Sequence, residues 1–392
     1  MIVEKFDVIV IGGGPIGCNV ASNLAKAGLS VAVIEAKTKI GFPNHCSGLV
    51  PIEFLELTNL DKSLIINYIK GAKVFSCKEN DFQFKRDVPY AAVIDRSNFD
   101  IFMESKAKEN GAKFFYNAHI ENIDTKNGDS FITLTNGNIF NTKVIVVATG
   151  ATSAIQKMLN VEIDGETIYT VQVDTKISLN DTEIAYIYMN NHIANNWFAW
   201  IIPTSDESAR VGFGDNIGKN LLDKLDMLFK NWSLLSNAKI SGKPVVWSIP
   251  IGIPKKIAYK NILFVGDAAR QVKPFSGGGL LTGFIAGNIL SETIIEAFKD
   301  NSNNFFKILE TYDSRSKKAL ITEFKREIFL RDVYISLTDE DKDQIIKNLN
   351  SKRISQILIQ YGFMDKPAIT GIKLLFNNPQ IPLIYLKRKI LG

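Results

Sequence analysis

The chain has 392 residues, 46% of them hydrophobic and 22% charged, and a formal net charge of +5. This length favours two interleaved domains over one small core, and the composition is that of a folded globular chain. The mild charge, with no basic block, speaks against nucleic-acid binding. Three cysteines (Cys18, Cys46 and Cys77) outside any CxxC spacing argue for a reducing, cytoplasmic compartment and against zinc or iron–sulfur, so no metal is expected.

The first residues, "MIVEKFDVIVIGGG", run straight into a strand and turn, with no charged start, apolar core and cleavage site of a secretory leader. Residues 7–35, "DVIVIGGGPIGCNVASNLAKAGLSVAVIE", carry the most specific local signal. An apolar run ending at Ile11 has the pattern of a buried parallel strand. Gly12, Gly14 and Gly17 then fit G-x-G-x-x-G, a helical pattern follows, and a second strand, Val31 to Ile34, closes on Glu35. One glycine permits the tight turn, one lets the backbone approach a pyrophosphate, and one allows close helix–strand packing. The helix N-terminus offers free N–H groups and partial positive charge to phosphates. Gly12, Gly14, Pro15 and Gly17, with Glu35 and Ala36, are therefore the expected nucleotide contacts. Glu35 is placed to accept hydrogen bonds from ribose hydroxyls and disfavours a 2′-phosphate, whereas Cys18 is expected to pack inside the helix. The motif by itself does not separate NAD from FAD.

Next, "GFPNHCSG" (41–48) sets His45 beside Cys46 in a stretch bounded by glycine and proline. This is either a turn with an incidental cysteine or a reactive group above a bound nucleotide. "VIDRSNFD" (93–100) then places Arg96 just past a strand. Residues 112–148 alternate strand-like runs with Asn-Gly turns at 127–128 and 136–137, the pattern of a β-meander, with His119 expected to be structural inside one of its strands. The middle stretch carries further strand patterns with Trp197, Trp200 and Trp247, and Trp232 in a more helical segment. It reads as a sheet able to cover a cofactor and hold a substrate. Within it "VGFGDNIG" (211–218) is glycine-rich, but its spacing is GxGxxxG and no good helix is expected directly after it, so no second complete dinucleotide fold is read.

Residues 261–283, "NILFVGDAARQVKPFSGGGLLTG", read as a strand, then Gly266-Asp267, then a glycine-rich turn opening a helix. The uncharged stretch from Pro274 to Ser291 approaches the length of a membrane span, but its proline and triple glycine leave too short a helix, so a buried helix is expected. From about residue 296 the chain is helical and charged. It ends in "LIYLKRKILG" (383–392), which reads as a solvated helix face, with peripheral contact at the inner face of the cell membrane as the alternative.

Together, the fingerprint at 12–17, the Arg96 segment and Gly266-Asp267-Ala268-Ala269 resemble the glutathione-reductase-type FAD fold of the p-hydroxybenzoate hydroxylase branch. The resemblance implies FAD as cofactor and an α/β (α+β) architecture. A discontinuous Rossmann-type FAD-binding domain would span 1–75, 92–160 and 255–300, with an antiparallel substrate-binding sheet at 76–91 and 161–254 and a C-terminal helical region at 301–392. "VIVVATGATSAIQKML" (144–159) resembles the segment returning to the nucleotide domain, which sets Ala148 and Gly150 at the cofactor. Arg96 would lie near the FAD and Asp267 would bond a ribityl hydroxyl. Gly266, Pro274, Gly277, Gly278, Gly279 and Leu280 would face the pyrophosphate or the flavin edge.

"FAWIIPTSDESARVGFG" (198–214) resembles the Tyr-x-Trp-x-Phe-Pro…Gly-x-Gly signature of geranylgeranyl reductases, FAD enzymes that saturate polyprenyl chains of archaeal lipids and of the chlorophyll side chain. Phe198, Trp200, Ile202, Pro203, Gly212 and Gly214 become the expected substrate residues, with Phe198 and Ile202 replacing the family's Tyr and Phe. An aromatic and aliphatic wall suits a hydrocarbon, which offers nothing to hydrogen-bond. Archaeal members carry a Pro-x-x-Cys-Gly-like segment where Pro43 to Gly48 stand here, with its cysteine near the flavin, so Cys46 is expected at both cofactor and reaction. His45-Cys46-Ser47 in place of Arg-Cys-Gly, and Lys273 before Pro274, depart from the family pattern. An isolated trisubstituted alkene accepts hydride poorly unless a proton arrives nearly in step. Thiols are mostly protonated at neutral pH and imidazoles titrate near it, so Cys46 is the expected proton donor and His45 the group that reloads it. Electrons would come from NAD(P)H or ferredoxin docking transiently. The alternatives are an FAD monooxygenase, a flavin halogenase using a lysine such as Lys70, Lys73 or Lys78, and a non-catalytic prenyl-lipid carrier.

Overall fold

The computed structural model describes residues 3–44, 46–126, 128–349, 356, 358 and 359. His45, Asn127 and the basic end at 383–392 lie outside the described residues.

The apolar run at the N-terminus becomes the centre of a parallel sheet. Strand Val3–Ile11 pairs in parallel with Val31–Ile34 on one side and Ile139–Val147 on the other. Lys113–Phe115 and Ile262–Phe264 extend this core in parallel, and Ala258–Tyr259 closes one edge antiparallel. Val8, Ile9 and Val10, like Val144 to Val147, are wholly buried, as a sheet covered on both faces requires. The meander holds too: Ile120–Lys126 pairs with Asp129–Leu134, and that strand with Ile139–Val147, both antiparallel. His119 departs from expectation. It is exposed, one residue before Ile120–Lys126, and its carbonyl accepts from the Thr135 N–H at 2.9 Å.

A second eight-stranded sheet follows the order Lys239–Ile240, Glu166–Lys176, Ser208–Asp215, Ala199–Ser205, Ile184–Met189, Gly71–Ser76, Asp81–Lys85, with Val245–Ile251 also paired to Glu166–Lys176. All its pairs are antiparallel except Ile184–Met189 with Gly71–Ser76. Between the large sheets sits a three-stranded one, Leu49–Pro51, Ala91–Ile94 and Ile65–Ile69. The expected α/β (α+β) class is borne out.

Helix Pro15–Lys26 packs against Arg96–Glu109 and Leu280–Lys299, and the latter against the 32-residue helix Phe305–Ser336. Among the described residues, Leu280–Lys299 is the one helix long and apolar enough to cross a membrane. It is held between two other helices, with Phe284, Ala286, Leu290 and Ile294 buried.

The glycine-rich "VGFGDNIG" is a strand end followed by a side-chain-capped turn, and, against expectation, helix Leu221–Asn231 starts soon after it. Asp215, wholly buried, accepts from the N–H groups of Ile217 (2.7 Å) and Gly218 (2.8 Å) and pairs with Lys224. Asp215→Ala leaves Lys224 without its partner and the turn amides unsatisfied. It should lower unfolding stability by about 3 kcal/mol in a denaturant titration.

Candidate active site

The nucleotide cradle is built by backbone that tolerates no side chain. Gly12 adopts φ +105°, and a Cβ there would overlap the Ala148 carbonyl. A Cβ on Gly17 would overlap the Gly12 carbonyl, so this glycine seats the helix on the strand and does not line the cavity. Gly14 is the opposite case, with nothing within 4 Å of a Cβ. The first turn of Pro15–Lys26 therefore opens onto free space with no side-chain cap. Glu35 braces the loop: its Oε2 accepts from Gly13 N–H at 2.7 Å and its Oε1 from Lys37 N–H at 2.8 Å. The Cys18 thiol donates to the Gly13 carbonyl at 3.1 Å, which is the packing role expected of it.

A second helix end converges on the same space. Leu280–Lys299 starts at Gly279 without a side-chain cap, after the turn that carries Gly277 and Gly278. Asp267 lies beside it, and burial, against the pull of Arg96, pushes its carboxyl up to about 6. Arg96 is the first residue of helix Arg96–Glu109, which Asp95 caps by accepting from Asn98 N–H at 3.0 Å. Its guanidinium is buried and paired with Asp100 at 3.0 Å, with Cys46 close by. Burial would lower its pKa, but Asp100 and Cys46 outweigh that and hold it charged. The Cys46 sulfur also accepts from Gly48 N–H at 3.4 Å.

All of this borders one cavity of about 1060 Å³. Gly12, Gly14, Pro15, Glu35, Ala36, Arg96, Ala148, Gly150, Gly266, Asp267, Gly277, Gly278, Gly279 and Leu280 line it, and Cys46 lies on the same wall. Phe198, Trp200 and Ile202 line its other end, with Trp197, Trp247 and Ile249. Trp197 stacks on Phe198 (centroids 5.3 Å apart, 14°), and Phe198 meets Trp200 edge-on at 6.3 Å. The Trp200 Nε1–H is turned into the sheet, donating to Gln172 at 3.3 Å, so the ring offers the cavity only hydrocarbon. Pro203 and Pro274 are buried behind the wall and do not border it. Gly212 and Gly214 do not border it either. Gly212 lies opposite Trp200 in register, where a Cβ would come 2.7 Å from the indole, and a Cβ on Gly214 would strike the Trp197 ring. These glycines give the tryptophans room; they do not face a substrate.

Several bordering groups carry little local sequence signal. Leu330, Val333, Tyr334 and Leu337 come from the end of helix Phe305–Ser336, and Tyr334 O–H donates to the Trp197 carbonyl at 2.5 Å. Their helical spacing is the one signal that could have found them. Lys273, the departure noted before Pro274, is buried at the cavity and answered by Glu327 on that helix. Glu327 accepts from Phe275 N–H at 3.1 Å and its Oε1 has no hydrogen-bond partner. None of Lys70, Lys73 and Lys78 borders the cavity; Lys70 pairs with Glu183 and Lys73 with Asp81.

A family model described as lycopene cyclase protein matches residues 7–212. The chain belongs to the lycopene cyclase protein family. An uncharacterized protein of Methanocaldococcus jannaschii is 31% identical, over 95% of this chain and 95% of its own. A digeranylgeranylglycerophospholipid reductase of Methanosarcina acetivorans is 27% identical, over 96% of this chain and 97% of its own. The crystal structure of a geranylgeranyl bacteriochlorophyll reductase-like protein of Thermoplasma acidophilum superposes with a TM-score of 0.81 at 22% identity, covering 95% of this chain and all of that one. Family membership speaks for the scaffold, and the relatives bear out the resemblance to geranylgeranyl reductases read from the motifs.

Burial, opposed by Lys273 and the Phe275 amide, pushes Glu327 up to about 7 from an ordinary 4.5. A carboxyl raised in the folded state contributes stability that is complete below the unfolded value and lost as pH rises through the folded one. Glu327→Gln should therefore flatten the pH dependence of unfolding between about 4.5 and about 7. The difference from wild type, read by urea titration, should reach roughly 3 kcal/mol.

Proposed function

We propose that this protein is an FAD-dependent oxidoreductase that saturates carbon–carbon double bonds in the geranylgeranyl chains of membrane lipids. The observation that carries this reading is the continuity of the cavity. A nucleotide cradle and an aromatic, aliphatic chamber share one space, and Cys46 stands on its wall.

The residues present fit FAD. Two uncapped helix starts, at Gly14 and Gly279, can each receive a phosphate or a carbonyl edge. The Glu35 and Asp267 carboxylates can accept from ribose and ribityl hydroxyls, and Arg96 adds a fixed positive charge. Reduced FAD, when bound, supplies a hydride. The protein has to hold the alkene, keep water away and deliver a proton. Trp197, Phe198, Trp200, Ile202 and Ile249 hold a hydrocarbon by dispersion and area alone. Cys46 is the acid: its sulfur accepts from Gly48 N–H, which leaves its own proton to point elsewhere. The charge of the nearby Arg96 guanidinium favours the sulfur after the proton has gone. His45, the next residue in the chain, is assigned to reload it. NAD(P)H or ferredoxin, docking transiently, supplies the electrons, and the lipid is taken at the inner face of the membrane.

The test is anaerobic. The flavin-loaded enzyme is reduced without oxygen and given a geranylgeranyl lipid. Reoxidation should follow, and the product lipid should gain two hydrogens per saturated bond; reoxidation only with oxygen overturns the reading in favour of a monooxygenase or halogenase. Cys46→Ala should keep its flavin and slow single-turnover saturation on the order of a hundredfold.

A further inference from the structure

Between strand Val31–Ile34 and strand Leu49–Pro51, the described residues form neither helix nor strand. Backbone pairing reaches this segment only from Gly48 onward, where the carbonyl accepts from Ile94 N–H, so side chains are free to help fix where Cys46 sits. One of them comes from the other large sheet. Arg210, on strand Ser208–Asp215, is 7% exposed, and its Nη1 donates to the Ser47 carbonyl at 2.6 Å and to the Ile94 carbonyl at 3.3 Å. Ser47 adjoins Cys46. Ile94 ends strand Ala91–Ile94, two residues before Arg96, whose guanidinium lies near Cys46. One guanidinium thus clamps the segment carrying the thiol to the segment carrying Arg96.

The surroundings are shaped for this clamp. Gly48 adopts φ +75°, and a Cβ there would strike both the Ile94 carbonyl and Arg210 Nη1, at 2.5 Å from the latter. Gly48 closes the loop on both sides, giving its N–H to the Cys46 sulfur and accepting from Ile94 N–H at 2.9 Å. Among the described residues the Arg210 Nε has no hydrogen-bond partner; Asp174, 3.8 Å away, is 67% exposed and screened by solvent, while Cys46 and Asp95 also lie close enough to favour the charge. A single nitrogen, Nη1, bridges the two carbonyls, and the rigid, buried guanidinium plane holds it there.

We propose that Arg210 is a positioning residue for alkene saturation, holding the Cys46 loop against the Arg96 segment so that the thiol stays aimed into the cavity. The inference rests on the reading of Cys46 as proton donor. A small displacement of an acid from its reacting atom is enough to lose most of its effect.

A double-mutant cycle on the flavin-loaded enzyme tests it, with single-turnover reoxidation by a geranylgeranyl lipid as the readout. Arg210→Met should bind flavin and react roughly ten- to a hundredfold more slowly than wild type. Arg210→Lys should recover part of that loss. In the Cys46→Ala background, Arg210→Met should cost nothing further, because there is no thiol left to place. Losses that multiply, or an Arg210→Met variant as fast as wild type, overturn the inference while Cys46 keeps its role. A Cys46→Ala variant as fast as wild type removes the role of Cys46 itself, and this inference with it. Should Arg210→Met not fold, the cycle is run with Arg210→Lys, whose smaller loss must vanish in the Cys46→Ala background.

Discussion

The contact on which the rest depends is the one between Gly12, Gly17 and Ala148, where three pieces of backbone meet with no room for a side chain. It brings helix Pro15–Lys26 down onto strand Val3–Ile11 and sets its open N-terminus over the strand ends. Strand Val3–Ile11 is also where the sheet order turns, with Val31–Ile34 on one side and Ile139–Val147 on the other. A doubly wound sheet has its natural crevice at that point. Glu35 and Cys18 then pin the turn from opposite sides, through the amide and the carbonyl of Gly13. A methyl group at Gly17 would lift the helix and dissolve the cradle.

The second sheet solves a matching problem with the same device. Two tryptophans must lie flat enough on an adjacent strand to make a wall, and that strand answers with Gly212 and Gly214. Glycine costs a strand some stability through lost packing and added chain entropy. The indoles that fill the vacated space offset that cost. The wall is then stiffened by Tyr334 on the Trp197 carbonyl and by Arg331, whose guanidinium lies 5.0 Å from the Trp197 ring centre.

What could be read in the chain and what could not divides by distance along it. The fingerprint at 12–17 was legible because turn, helix start and strand packing are neighbours in sequence and each requires glycine. The aromatic strand at 198–203 was legible for the same reason. Its paired glycines were legible as a motif and misjudged in role, because the ring that needs the space belongs to another strand. "VGFGDNIG" was rightly set aside on its spacing, but nothing local showed that Asp215 satisfies its amides. Glu327 and Arg210 gave no local sign and Tyr334 only its helical spacing, since what each is for lies more than fifty residues away in the chain. His119 was misplaced by a single residue, enough to move it from a strand to an exposed position bordering the cavity.

The site joins two environments that repel each other. One side gathers buried charge, with Arg96 on Asp100, Lys273 near Glu327, Arg210 on two carbonyls and Asp267 at the cofactor end. The other is hydrocarbon. Charges beside an apolar chamber are costly unless each has partners, which is why so many of these groups are tied to backbone amides and carbonyls. In the proposed reaction the group on the boundary would give up a proton without needing a shell of water when it is neutral. A carboxyl or an ammonium there would carry the desolvation cost into the chamber. A thiol is small, nearly apolar, and a weak donor. With Arg96 and the Gly48 amide on its polar side and the wall of rings beyond, Cys46 is the residue type that this boundary admits.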